Sequence, residues 1–255
     1  MSIHIALASV AGKPGRRSQD SVLFAGRVCQ GRQTCEVRVD EPGATLAIAA
    51  GIWPCRLGVR ASRLAIELLA HRLSEDAGLS ESSIRAVQRA MGERARGTPD
   101  IGMATTLAAL QISGDTATVV NVGDSPVYRW RAGFLCQKSV DHTVGRRMVD
   151  EGIIERDDEL AAAGQYDNLD SALYADPFAD RFDVHEAKIA TRHGDLWLLC
   201  SRGTRRTLTP AQIADLVRRT YGSGPGAVVQ CLAAACAASV VASRIDVTVA
   251  ALQIG

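Results

Sequence analysis

Lysine is nearly absent from this chain of 255 residues: of 29 basic residues only Lys13, Lys138 and Lys188 are lysine. That bias reflects genome composition more than chemistry, although arginine is the better planar anion clamp. Acidic residues number 28, so the formal net charge is +1 and no global positive field exists to hold nucleic acid or a membrane surface. No CxxC pair occurs among Cys29, Cys35, Cys55, Cys136, Cys200, Cys231 and Cys236, and their number is odd. His4, His71, His142, His185 and His193 form no ligand-spaced cluster. These facts argue against a zinc site or a disulfide framework and for a reducing, cytoplasmic location. GxxxxGK[ST], GxGxxG after a strand and GxSxG are all missing, which removes the P-loop, dinucleotide-binding and nucleophile-elbow readings. The start, MSIHIALASVAGK, has no cationic segment before its short apolar stretch and reads as a strand instead of a signal peptide. Residues 220–243 carry no charge, but YGSGPG, Gln230 and Ser239 within them favour a buried helix over a membrane span.

What remains is an ordinary globular balance, 47% hydrophobic and 22% charged, on a chain long enough for a sizeable core. Short apolar or alternating runs predict strands at 3–10, 21–25 and 45–50. Leu57, Ala61, Leu64 and Leu68 then repeat at helical spacing, as do Ile84, Val87 and Met91 after a Ser80/Ser82 start signal. Strands return at 105–113, 116–122 and 127–131, punctuated by Gly114-Asp115 and Arg131-Ala132-Gly133. Residues 141–180 look irregular apart from a short helix near 143–151. DLWLLC (195–200) is a buried-strand run, and Thr209-Pro210-Ala211-Gln212 is a capping box opening a helix that ends near Gly222. An alanine-rich helix near 225–240 and a last strand at 246–254 complete the pattern. Hairpin-linked strands with paired helices predict an α+β fold of antiparallel sheets covered by helix pairs, in a single domain spanning 1–255.

Short Gly/Asp turns stand at the strand ends. In order they read SQDS (18–21), IAAGIWP (48–54), GMATTL (102–107), VGDSPVY (122–128), KSVDHT (138–143), LLCSRG (198–203) and IDVTV (245–249). This series resembles the PPM-type (type 2C) metal-dependent Ser/Thr protein phosphatases, with N-[EQ]-D-S, V-x-D-G-M-G-G, G-T-T-L, V-G-D-S-R-x-Y, L-x-x-D-H, L-L-C-S-D-G and D-N-[IV]-T-[VC]. Seven motifs in family order are specific where any one is weak. The resemblance implies a four-layer αββα sandwich. It also implies, for the family, two Mn²⁺ or Mg²⁺ ions held mainly by four aspartates, activating a water that attacks phosphoserine or phosphothreonine.

Position by position, the chain keeps Asp20 and departs elsewhere. Ala50 stands for the bridging aspartate before Gly51, and Trp53 and Pro54 replace the two glycines that follow. Arg202 stands for the aspartate of S-D-G and Ile245 for that of D-N-[IV]-T, with Asp246 in the asparagine position. The phosphate-binding arginine falls on Gly15, leaving Arg16 and Arg17 out of register. Four aspartates balance two divalent ions, but Asp20 and Arg202 already sum to zero. An added divalent ion would be repelled by the guanidinium by roughly 8 kcal/mol at about 4 Å and an effective dielectric near 20. The expectation is therefore a degenerate bacterial member: a pseudophosphatase with no metal cofactor and no catalytic residue. It would bind a protein or phosphorylated partner in Ser/Thr phosphorylation signalling, such as a Ser/Thr kinase or its substrate, and neither nucleic acid nor membrane.

The alternative is an active Mn²⁺- or Mg²⁺-dependent phosphatase with rearranged ligands Asp20, Asp124 and Asp246. In that case Asp246 reaches inward only if the last strand begins after it. A third reading, compatible with the first, is an anion sensor built on Arg16, Arg17, Arg202, Arg205 and Arg206. Arg202 is expected to point at Asp20, and Trp53 to narrow the entrance. Blander roles are a turn for Asp124, bonding backbone N–H groups, and an inert small hydrophobe for Cys200.

Overall fold

The computed structural model describes residues 2–12, 17–40, 43–52, 57–75, 78–155, 168–179, 181–239 and 245–255. Fourteen strands occur among the described residues: β1 (Ile3–Val10), β2 (Asp20–Phe24), β3 (Arg27–Gln30), β4 (Gln33–Val39), β5 (Gly43–Ala50), β6 (Ala104–Thr105), β7 (Leu107–Ser113), β8 (Thr116–Val122), β9 (Val127–Arg131), β10 (Phe134–Gln137), β11 (Leu173–Tyr174), β12 (His185–Ala190), β13 (Leu196–Cys200) and β14 (Val247–Ile254). Helices are α1 (Gly58–Ser74), α2 (Glu81–Ala95), α3 (Val144–Asp150), α4 (Arg202–Thr207), α5 (Pro210–Thr220) and α6 (Pro225–Ala237).

Two six-stranded antiparallel sheets run in the orders β10-β9-β13-β14-β1-β4 and β12-β8-β7-β5-β2-β3. The central strands are apolar on both faces because each sheet is covered twice. Ile5, Leu7, Ile48, Leu110, Trp197 and Leu252 meet between the sheets. Ile66, Leu69, Ile84 and Met91 of α1 and α2 pack outside the second sheet with Leu107 and Val120. Ile213, Val217, Val228 and Leu232 of α5 and α6 cover the first sheet against Leu198 and Val249. The result is the αββα sandwich.

Local chemistry sets the helix starts. The Ser80 hydroxyl accepts the Ser83 N–H at 3.3 Å while Ser83 Oγ accepts the Ser80 N–H at 3.0 Å, closing a capping box on α2. Thr209 and Gln212 do the same for α5, with Pro210 at the first helical position. Of the uncharged stretch 220–243, residues 240–243 lie outside the described residues; the described part contains α6 (Pro225–Ala237), preceded by Gly224 at φ +91°. No described helix is long and apolar enough to cross a membrane.

Several elements escape the sequence pattern. β3, β4, β10, β12 and α4 are short or edge elements with half-exposed, polar sequences.

Candidate functional site

Asp20 is the first residue of β2, an inner strand whose five residues are all buried. Its direct neighbour across the β2–β5 pair is Ala50. Opposed residues on antiparallel strands point to the same face about 5 Å apart, so a methyl group lies beside the carboxylate. The chain leaves β5 at Gly51, whose N–H bonds the Gln19 carbonyl at 2.9 Å. A Cβ at Gly51 would strike the carbonyl of Gly58 at the start of α1, so the turn requires glycine. From Ala50 the network continues to Thr106, whose N–H bonds the Ala50 carbonyl at 3.0 Å and whose hydroxyl meets Ser125 Oγ at 2.8 Å.

β14 begins at Val247, so Asp246 lies just ahead of the ladder. Its two oxygens accept the N–H groups of Gly12 at 2.8 Å and Gln19 at 2.7 Å. Asp246 thereby ties the end of the β1 segment at Gly12 to the start of the β2 segment at Gln19. Ile245 lies next to it, with its side chain near Gly203. A Cβ on Gly203 would overlap the Asp246 carbonyl, which brings α4 and the start of β14 into backbone contact.

Burial raises the Asp20 carboxyl to about 7; the charge of Asp246 adds to the shift, and the Thr248 and Ser201 hydroxyls oppose it. Asp20 Oδ2 is buried with no hydrogen-bond partner.

The guanidinium expected over Asp20 is committed elsewhere. Arg202 Nε donates to Asp124 Oδ2 at 3.0 Å. Arg205, one helical turn on and so on the same face of α4, lies 3.8 Å from the same oxygen and donates through Nε to Asp141 Oδ2 at 2.9 Å. Arg202 caps this network because Ser201 turns the chain into α4, directing its first residue toward the 123–125 turn. Asp124 is fully buried. Burial pushes its carboxyl up from the ordinary value, while Arg202, Arg205 and Arg206 pull it down. The expected backbone role of Asp124 gives way to this ion pair. Gly123, at φ +93° and packed against Thr106, makes the tight turn that carries it. His142 closes the turn from outside: its Nδ1 accepts the Gly123 N–H at 3.1 Å, and its backbone N–H donates to the Gly123 carbonyl at 3.1 Å.

The structure thus brings Asp20, Ala50, Gly51, Ile245, Asp246, Asp124 and Arg202 to one end of the sandwich. Arg17 is exposed, and Arg205 and Arg206 lie on α4. Gly15, Arg16, Trp53 and Pro54 lie outside the described residues. Among the described residues, no group of three or more His, Cys, Asp or Glu side chains is placed to hold one metal ion. Sequence reasoning missed the Arg202–Asp124–Arg205–Asp141 network. The available signal was the i, i+3 spacing of Arg202 and Arg205 behind a helix-capping serine.

No protein-family model matches the chain. Serine/threonine protein phosphatase PstP of Mycobacterium tuberculosis is 34% identical over 179 residues, covering 68% of this chain and 34% of that protein. The chain therefore spans about a third of the length of this curated relative. The crystal structure of M. tuberculosis PstP/Ppp superposes with a TM-score of 0.78 at 25% identity, over 100% of this chain and 99% of that one. The catalytic domain of PstP in complex with two manganese ions gives a TM-score of 0.75 at 24% identity, over 100% of both chains. Seven turn motifs in order, the αββα architecture that places them and these relatives agree: the chain belongs to the PPM-type family of serine/threonine protein phosphatases.

Proposed function

We propose that residues 1–255 form one pseudophosphatase domain, which acts by binding a protein or phosphorylated partner in Ser/Thr phosphorylation signalling and performs no metal-dependent hydrolysis. The observation that carries this reading is the Asp20–Ala50 pair: a methyl group faces Asp20 across the sheet, where the family motif has the bridging aspartate. The remaining donors fit a binuclear centre poorly. Both Asp246 oxygens hold backbone N–H groups, and the buried Asp124 carboxylate faces Arg202 and Arg205. Hard divalent ions need several compact anionic oxygens, and here a cation occupies a position from which the family supplies one. The two manganese ions of the PstP catalytic domain belong to that protein.

A second reading, an active Mn²⁺- or Mg²⁺-dependent phosphatase with rearranged ligands, draws on the partnerless Oδ2 of Asp20. One experiment separates the two. Purified protein is titrated with Mn²⁺ by calorimetry and assayed on p-nitrophenyl phosphate, with Asp20→Ala as control. The binding reading expects neither saturable Mn²⁺ uptake nor Mn²⁺-dependent turnover. Turnover that rises with Mn²⁺ and vanishes in Asp20→Ala would establish the enzyme instead.

A further inference from the structure

The two large sheets end in four edge strands, β10 and β4 on one and β12 and β3 on the other. An edge strand presents a row of backbone N–H and C=O groups able to pair with another chain, and short length, lysine or proline usually blunts it. β3 and β10 have four residues each, and β12 carries Lys188. β4 is the longest of the four at seven residues, QTCEVRV, and has neither lysine nor proline. Its pattern alternates strictly. Cys35, Val37 and Val39 are half-buried against the apolar layer between the sheets, while Thr34, Glu36 and Arg38 are exposed on the opposite face. Glu36 is held in place there: its Oε1 stands 2.6 Å from His4 Nε2, and its carboxylate fills the space beside Gly226.

We propose that β4 pairs antiparallel with β4 of a second copy of this chain, joining two six-stranded sheets into one across a two-fold axis. Opposed residues of an antiparallel pair point to the same face, so a continuous sheet with both helix layers on one side allows few registers. Those that keep most of the seven residues paired centre on Cys35, Glu36 or Val37. Centring on Cys35 sets Arg32 against Arg38, and centring on Glu36 sets Glu36 against itself. Centring on Val37 sets Glu36 of each copy against Arg38 of the other, giving two opposite-charge pairs on the exposed face. On the other face, Val37 meets Val37 and Cys35 meets Val39, which covers the flanks that the edge leaves half-buried. The strand is thus self-complementary in charge and in apolar surface in one register, as an isologous interface requires. An interface built mainly on one strand pair is small, so association belongs in the micromolar range and weakens with salt. The pairing is independent of whether the site binds metal.

Sedimentation velocity on the full chain, under reducing conditions from micromolar to about 500 µM, should show a monomer passing to a dimer. Arg38→Glu, on an exposed side chain, makes both cross-strand pairs Glu–Glu and should weaken the dimer about tenfold or more. Glu36→Arg makes both pairs Arg–Arg and should do the same. Mixing the two variants restores opposite charges at both positions and should return a heterodimer of wild-type affinity. Hydrogen exchange needs no variant: peptides covering 33–39 of the wild type should gain protection as concentration rises. A wild-type monomer throughout the range, a dimer indifferent to Arg38→Glu, or exchange at 33–39 independent of concentration would overturn the proposal.

Discussion

Two carboxylates stand at the same end of this sandwich, and each has met burial differently. Asp20 lies beside a methyl group and two hydroxyls, and burial raises it to about 7. Asp124, joined to it through Ser125, Thr106 and Ala50, is also fully buried but has Arg202 at 3.0 Å and Arg205 at 3.8 Å. A buried carboxylate without a counter-ion is costly, and it can be neutralised either by a proton or by a fixed cation. The chain uses the proton at Asp20 and the guanidinium at Asp124. A proton at Asp20 and a guanidinium at Asp124 are thus two different solutions to one electrostatic problem.

The comparison breaks most sharply at Asp20. Its carboxyl holds a proton to about pH 7 in the fold, against an ordinary value of 3.8 for a free aspartate. The fold therefore gains this stabilisation fully below about pH 4 and loses it as pH rises through about 7, where a buried charge must form. Asp20→Asn, which mimics the protonated form, should stabilise the protein by up to about 4 kcal/mol at pH 8 and little at pH 4. Thermal midpoints measured across that range test it, and equal effects at both ends would remove the proton from the account.

At the other carboxylate, Arg202→Ala should destabilise by about 3 kcal/mol, because it leaves Asp124 buried without its nearest cation. Adding Asp124→Asn should restore part of that loss. Chemical denaturation of the two single variants and the double variant gives the coupling directly. Additive effects would show that the pair contributes nothing as a pair.

A smaller effect sharpens the contrast from the opposite pH direction. Burial lowers the His142 pKa, and its neutral Nδ1 accepts the Gly123 N–H. Here the fold binds the proton less tightly than the unfolded chain. Stability should be complete above about pH 6.5 and fall as the pH drops below it. In His142→Asn this acid-side loss of a few degrees should flatten, whereas the Asp20 trend should persist. An unchanged acid limb would place the loss elsewhere.

How far the sequence revealed this arrangement depended on where the information lies. Strands β1, β7 and β8, the start signal at Ser80 and the box at Thr209 were legible because apolar runs and caps are local signals. Asp20, Ala50 and Gly51 were placed together because motif order fixes strand pairing in a known architecture. β4 was missed although QTCEVRV alternates, since its outward residues are polar and exposed at a sheet edge. Arg202 was correctly singled out but assigned the wrong partner. Choosing between Asp20 and Asp124 depends on the direction in which Ser201 turns the chain into α4, a tertiary fact with no one-dimensional trace. Asp246 shows the same limit from another side: a one-residue change in where β14 starts decides whether its oxygens face a cavity or cap Gly12 and Gln19.

The pairing of β1 with β14, Ile3 opposite Ile254 through Val10 opposite Val247, also governs when this end of the molecule comes into being. Ser9 meets Thr248 across 239 positions, and Asp246 reaches Gly12 and Gln19 across 234 and 227. Contacts so distant along the chain carry a large loop-closure cost and form late. During synthesis β1 must wait without its central neighbour until almost the whole domain has emerged, while β5, β7 and β8 can already pair. The surroundings of Asp20 are therefore among the last parts to become native, and a nascent chain stalled before residue 246 would hold helices and those paired strands but no such pocket.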